Sequence, residues 1–208
     1  DERRRPQDGR ARFERGREAW NLRLSTLPCM HGENLVVRIL GQARALSLLE
    51  LGLDDATADG LRRVTQRQEG MLLVVGPTGS GKSTTLQAVL SEIDAVERAV
   101  FTVEDPIEFE VAAFAQTQVN PEAEYGFAEA LRALLRQDPN VILLGEIRDG
   151  ESATIATRMA LTGHLVLSTL HTYDAAAAVT RLVQMGVPSY MVAATVKGVL
   201  AQRLVRRL

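Results

Sequence analysis

The sequence predicts an α/β fold built on a mostly parallel sheet, and three observations predict it. From residue 56 onward, short fully apolar runs alternate with segments of helical period, as in strands covered on both faces by crossover helices. The first of these runs, Met71–Val75, leads directly into a glycine-rich loop and then a helical pattern. Acidic clusters follow the next two apolar runs, at the carboxyl ends where open α/β sheets bind their ligands.

The elements follow in order. Helix 56–68 precedes strand Met71–Val75, and helix 82–94 follows the loop. Strand Val100–Val103 comes next, then an irregular stretch with a short strand near Thr117–Val119. Helix 127–137 precedes strand Val141–Leu144, and helix 151–162 precedes strand Leu165–Thr169. Helices near 174–185 and 190–205 close the chain. Before residue 56 the character differs. Leu35–Leu40 reads as a strand, Asn21–Leu24 as a weaker one, and Asp8-Gly9 as a turn, with no long helix. Gly41, Gly52 and Asp54-Asp55 punctuate a linker at 43–55, which separates residues 1–42 from the α/β domain at 56–208.

Composition excludes several classes. Lys and Arg number 24 against 26 Asp and Glu, so the net charge is −2 and the basic footprint of a nucleic-acid protein is missing. Only Lys82 and Lys197 are lysines, and Lys82 lies in the glycine-rich loop. The single cysteine, Cys29, cannot form an internal disulfide; it points to a reducing compartment and reads as a small structural residue. No apolar run reaches the ~18 residues of a membrane span, and the charged start lacks the apolar core of a signal peptide. The first residue is not methionine, so the sequence reads as an excised or incomplete fragment.

Gly76-Pro77-Thr78-Gly79-Ser80-Gly81-Lys82-Ser83 fits G-x-x-x-x-G-K-[ST] at every position. A chance match in a chain this long has odds on the order of one in a hundred, and the strand before and helix after reduce them further. Glycines let backbone N–H groups curl around phosphate oxygens, and the following helix aims its positive end at the same anion. Lys82 is expected to pair with the β and γ phosphates of a nucleoside triphosphate, and Ser83 to ligate Mg²⁺.

Glu104-Asp105-Pro106-Ile107-Glu108 and Gly145-Glu146-Ile147-Arg148-Asp149 follow strands, and His164 and His171 flank a third. Each alone reads as loop residues, helix caps or a structural histidine. With a phosphate loop beside them they converge on one sheet edge. Phosphoryl transfer to water needs one carboxylate to orient the water and others to hold Mg²⁺. Glu146, after an apolar strand, suits the metal. Glu104 and Glu108 compete as the water-positioning base. His171, at the carboxyl end of its strand, is the histidine expected near the phosphate.

These residues resemble the type II secretion and type IV pilus assembly ATPases, the general secretion pathway protein E class. Gly76–Thr85 is similar to the family's Walker A, which adds Thr84 to the nucleotide-binding residues. Thr102–Phe109 resembles its Asp box, Leu135–Asp149 its Walker B region, and Thr162–Thr172 its His box. Pro6–Arg10, Leu24–Pro28 and His31–Glu33 resemble the end of its N-terminal, PAS-like α+β domain. The resemblance implies a RecA-like domain, ATP and Mg²⁺ as cofactors, and a homohexameric motor peripheral to the cytoplasmic face of the inner membrane. It also implies an inner-membrane platform protein and a cytoplasmic recruiting protein as partners, and no nucleic acid. Arg23 and Arg38 match family arginines that reach the nucleotide from the N-terminal domain. Arg132, Arg136 and Arg148 match motif arginines, the first two sharing a helix face. The family's four-cysteine zinc module is not in this sequence. Pilus-retraction and conjugation-type ATPases, and more distantly RecA-like nucleic-acid translocases, share the core motifs.

Overall fold

The computed structural model describes residues 2–16, 18–40 and 46–206. The chain forms two compact units, Asp1–Arg44 and Ala45–Leu208.

The first unit is an antiparallel meander of β1 (Gln7–Arg15), β2 (Glu18–Cys29) and β3 (Gly32–Leu40), in the order β1-β2-β3. Strict alternation separates its faces. Leu22 and Leu24 stand opposite Ile39 and Val37, whereas the next position pairs Arg23 with Arg38. The Phe13 and Trp20 rings lie 5.8 Å apart across β1 and β2. Asp8-Gly9, expected as a turn, lies inside β1, with Asp8 opposite Ser25 and Gly9 opposite Leu24. The chain reverses instead at Gly16, whose φ of 64° is left-handed. The long partner strand supplies hydrogen bonds that outweigh the local turn preference of Asp-Gly.

Part of the linker expected at 43–55, residues 43–45, lies outside the described residues. Over 46–54 the chain turns, and Leu48 is fully buried in the same core cluster as Leu61, Val64 and Leu90. This stretch packs with the second unit.

The second unit runs α1 (Asp55–Thr65), β4 (Gly70–Val75), α2 (Lys82–Ser91), β5 (Val100–Glu104) and β6 (Ala115–Gln118). It continues through α3 (Phe127–Leu134), β7 (Val141–Leu144), α4 (Gly150–Leu161), β8 (Leu165–Leu170), α5 (Ala175–Gln184), α6 (Ser189–Thr195) and β9 (Val196–Ala201). The six strands form one sheet in the order β6-β5-β7-β8-β4-β9, with every neighbouring pair parallel. β4, β7 and β8 are buried at every position. Successive side chains of β4 feed two cores: Met71, Leu73 and Val75 pack with α3, α4, α5 and α6, while Leu72 and Val74 pack with α1 and α2. This explains the unbroken apolar runs in the sequence.

One expected helix is a strand. The helix near 190–205 ends at Thr195, and Val196–Ala201 becomes β9, paired with β4 from Met71↔Val196 to Val75↔Ala201. Gly198 weakens a helix interior, and the open edge of β4 offers ladder bonds. There Gly198 fits closely, since a Cβ would lie 3.1 Å from Leu72 Cδ1.

Two glycines give opposite expectations. Asp149 caps α4 by accepting from the Ser152 N–H at 2.7 Å, and the next residue, Gly150, abuts the Met185 backbone carbonyl, where any Cβ would collide. Gly150→Ala is therefore expected to destabilise the protein by about 1–3 kcal/mol. Gly60 lies inside α1 with nothing nearer to its would-be Cβ than Arg63 at 3.8 Å. Gly60→Ala is expected to stabilise by about 0.5–1 kcal/mol. Urea unfolding midpoints of both variants check the pair.

Candidate active site

The loop between β4 and α2 is shaped by its glycines. Gly76, Gly79 and Gly81 take φ values of 148°, 77° and 85°, which favour residues without a Cβ. At Gly76 a side chain would also run into the Gln202 carbonyl and, at 2.7 Å, the Ser80 hydroxyl. α2 begins at Lys82 without a side-chain cap, so the N–H groups of its first turn face outward unpaired by the helix itself. Lys82 is buried, and its Nζ donates to the Gly76 and Pro77 carbonyls at 3.0 and 3.1 Å. Burial lowers its pKa, against the opposing pull of the Glu146 carboxylate. The Ser80 hydroxyl is buried and has no hydrogen-bond partner among the described residues. A desolvated ammonium, an orphaned hydroxyl and a helix N-terminus fit a phosphate group.

A cavity of about 500 Å³ opens over this loop, lined by Thr78, Gly79, Gly81, Lys82, Ser83 and Thr84. Glu104, Glu108, Glu146 and His171 line the same cavity from the far ends of three other strands. Gly76, Pro77 and Ser80 serve behind the lining, as ligands or packing for the loop. Apolar walls come from Phe109, Phe127 and Leu204.

Glu146 is held by its neighbours' backbone. The Gly145 N–H donates to Val103 O at 2.8 Å, and the Ile147 N–H to Thr169 O at 3.0 Å. The Thr169 hydroxyl donates to Gly145 O at 2.8 Å. Arg148 donates to one Glu146 oxygen and, at 3.1 Å, to Asp105, and its guanidinium lies over the Phe127 ring. The bond to Glu146 holds the Arg148 pKa above its usual range. His171 Nε2 lies 3.4 Å from the other Glu146 oxygen.

The two Asp-box glutamates differ. Glu104 is buried, and its Oε1 accepts from the Thr102 hydroxyl at 2.7 Å and the Gln116 amide at 3.2 Å. Burial raises its pKa, opposed by those two donors and by the Glu108 backbone N–H. Glu108 is exposed on the cavity and, among the described residues, its carboxylate accepts no hydrogen bond. His164 sits at the opposite end of β8 and contacts the Met159 carbonyl at 2.9 Å. Arg132 pairs with Glu129 and Glu151, and Arg136 donates to the Arg132 carbonyl. Arg23 and Arg38 lie on the first unit's sheet, opposite one another.

Sequence reasoning passed over Thr169, Gln116 and Gln202. Thr169 carried the signal of standing last in an apolar strand. The glutamines carried none. Gln202 donates from its backbone to Val75 O at 2.9 Å and from its side chain to Ser80 O, touching both ends of the loop.

A phosphate loop between a parallel strand and a helix, with carboxylates at adjacent strand ends, defines a P-loop domain of the RecA-like class. The model of the family described as type II/IV secretion system protein matches residues 1–208, and the chain belongs to that family. It is 53% identical over all 208 residues to the type II secretion system ATPase E of Vibrio cholerae, covering 41% of that protein. It is 50% identical over the same span to the type IV pilus assembly ATPase PilB of Thermus thermophilus, covering 23% of it. The chain thus spans less than half the length of these curated relatives. Among solved structures, it matches the pilus retraction motor PilT with bound ADP at a TM-score of 0.81 and 33% identity, over 95% of this chain and 59% of that one. It matches the ATPase DotB of Legionella pneumophila at 0.74 and 29%, over 91% and 54%. No helix among the described residues is long and apolar enough to cross a membrane.

The Glu104 shift has a measurable sign. With its folded pKa above the usual 4.5, the folded state holds its proton more tightly than the unfolded chain. Stability from this group is full below about pH 4.5 and is lost as pH rises through the raised folded value. Glu104→Gln keeps an acceptor for both donors and removes that loss. Thermal melts are expected to show its melting temperature gaining on the wild type between pH 4 and 7; a constant difference contradicts the assignment.

Proposed function

We propose that this chain is the core of a motor ATPase, which binds ATP with Mg²⁺ and hydrolyses it to drive pseudopilus or pilus assembly. The observation that carries the reading is the convergence of Lys82, Ser83, Glu108 and Glu146 on one cavity over the phosphate loop. Identity of 50% or more to a secretion ATPase E and to PilB, against 33% to the retraction motor PilT, favours assembly over retraction. In the full assembly the motor is a homohexamer, peripheral to the cytoplasmic face of the inner membrane. It is docked there on a membrane platform protein and a cytoplasmic recruiting protein.

Each residue has a role the chemistry requires. Lys82 neutralises the β and γ phosphates from within the loop, and the α2 N–H groups bind their oxygens. Ser83 and Glu146 would hold Mg²⁺, which would supply charge neutralisation to the phosphates. Glu108, with an unengaged carboxylate on the cavity, orients the attacking water and accepts its proton as the terminal phosphate leaves ADP. Glu104 is engaged by Thr102 and Gln116 and serves as the anchor beneath it. His171, against Glu146, senses the γ-phosphate. Arg23 and Arg38, directly opposed in neighbouring strands, are the arginines assigned to stabilising charge that develops during phosphoryl transfer.

Glu108→Gln is expected to lower turnover by about 10²-fold or more while ADP affinity persists. Wild-type turnover in this variant removes Glu108 from the mechanism. Arg38→Ala is expected to cost roughly 10³-fold in kcat. Turnover per chain measured against protein concentration, with sizing in parallel, is expected to rise as the chain assembles; activity independent of assembly contradicts the homohexameric motor.

A further inference from the structure

We propose that Gln116 is a positioning residue for Glu108, acting by clamping the loop that carries it against the edge strand β6. The inference rests on Glu108 as the water-orienting base. The loop leaves β5 at Glu104 and rejoins the sheet at Ala115, with no helix or strand between. Such a loop has few backbone bonds of its own to fix a side chain at its tip. Gln116 supplies them. Its Nε2 donates to the Phe109 carbonyl at 2.8 Å, and its Oε1 accepts from the Val111 N–H at 2.7 Å. The same Nε2 donates to Glu104 Oε1 at 3.2 Å.

The amide has one workable orientation. Turned over, it would set its nitrogen against the Val111 N–H and its oxygen against a carbonyl and a carboxylate, making all three contacts repulsive. Two residues on, and on the same face of β6, Gln118 Oε1 accepts from the Ile107 N–H at 3.3 Å. The backbone is thus held at 107, 109 and 111, on both sides of Glu108, while the Glu108 carboxylate stays on the cavity. A displacement of about 1 Å in a catalytic group costs about 10²-fold in rate, so this clamp sets the rate that Glu108 delivers. Gln116 does not line the cavity, so it acts through the loop and not on the nucleotide.

The test is a double-mutant cycle in the full-length protein, with hydrogen exchange on this chain. Gln116→Leu is expected to lower kcat by about 10²-fold with ADP affinity unchanged. In a Glu108→Gln background it should cost nothing more, because the two act as one unit. Gln116→Glu keeps the acceptor for Val111 but turns an oxygen toward Phe109 and Glu104, so it should lose kcat equally, which covers the case where leucine disturbs folding. Amides of Ile107 to Val111 should exchange faster in either variant while those of β4 and β8 stay protected. Losses that multiply in the double variant, a loss of ADP affinity in place of kcat, or unchanged exchange over Ile107 to Val111 would each overturn the proposal. If Glu108→Gln is inactive but both Gln116 variants turn over normally, the clamp fails alone. If Glu108→Gln turns over normally, the underlying assignment fails with it.

Discussion

Four buried strands, β5, β7, β8 and β4, lie side by side in parallel register, and everything at the site follows from where they end. Val103 is level with Leu144, Leu144 with Ser168, and Ser168 with Leu73. One to three residues beyond that level come Gly76, Glu104, Glu146 and His171. A slip of one residue would exchange every side chain between the two cores. Strand positions such as Leu72, Ile142 and Leu167 are almost fully buried, and truncating one such residue costs about 2–5 kcal/mol. The register is therefore fixed by packing on both faces, and the site inherits its geometry from the core.

Upon that frame the protein carries charges in places that disfavour them. Burial pushes the Lys82 ammonium down and the Glu104 carboxyl up. Around them runs a chain of paired groups, Asp105 to Arg148 to Glu146 to His171, which engages both oxygens of the Glu146 carboxylate. In the proposed function a phosphate anion would answer the lysine and a cation Glu146, so that binding would offset the cost of holding these groups apart from water.

The phosphate loop was legible because its chemistry demands particular residues at fixed spacing, and the strands because burial on both faces leaves unbroken apolar runs. Glu146 and His171 were legible from their place just beyond those runs. Glu104 and Glu108, on either side of Asp-Pro in one short segment, look alike in the sequence; they differ in three dimensions, where Glu104 is buried and bonded to Thr102 and Gln116. β9 was misread because Val196–Ala201 has no period that distinguishes strand from helix, and the deciding partner, β4, lies more than a hundred residues away. Asp8-Gly9 failed for the same reason, since a distant strand overrode a local turn signal. Gln116, Gln118 and Gln202 act through hydrogen bonds to loop backbone, which leave no pattern in a sequence.

The central claim is that the loop from Gly76 to Ser83 is a triphosphate site that depends on Lys82. Titration calorimetry of this chain with ATP and Mg²⁺ tests it most directly. The account predicts one saturable site per chain in the wild type and its loss in Lys82→Ala, with both proteins equally folded by circular dichroism. Undiminished binding in Lys82→Ala, or none in the folded wild type, would contradict it.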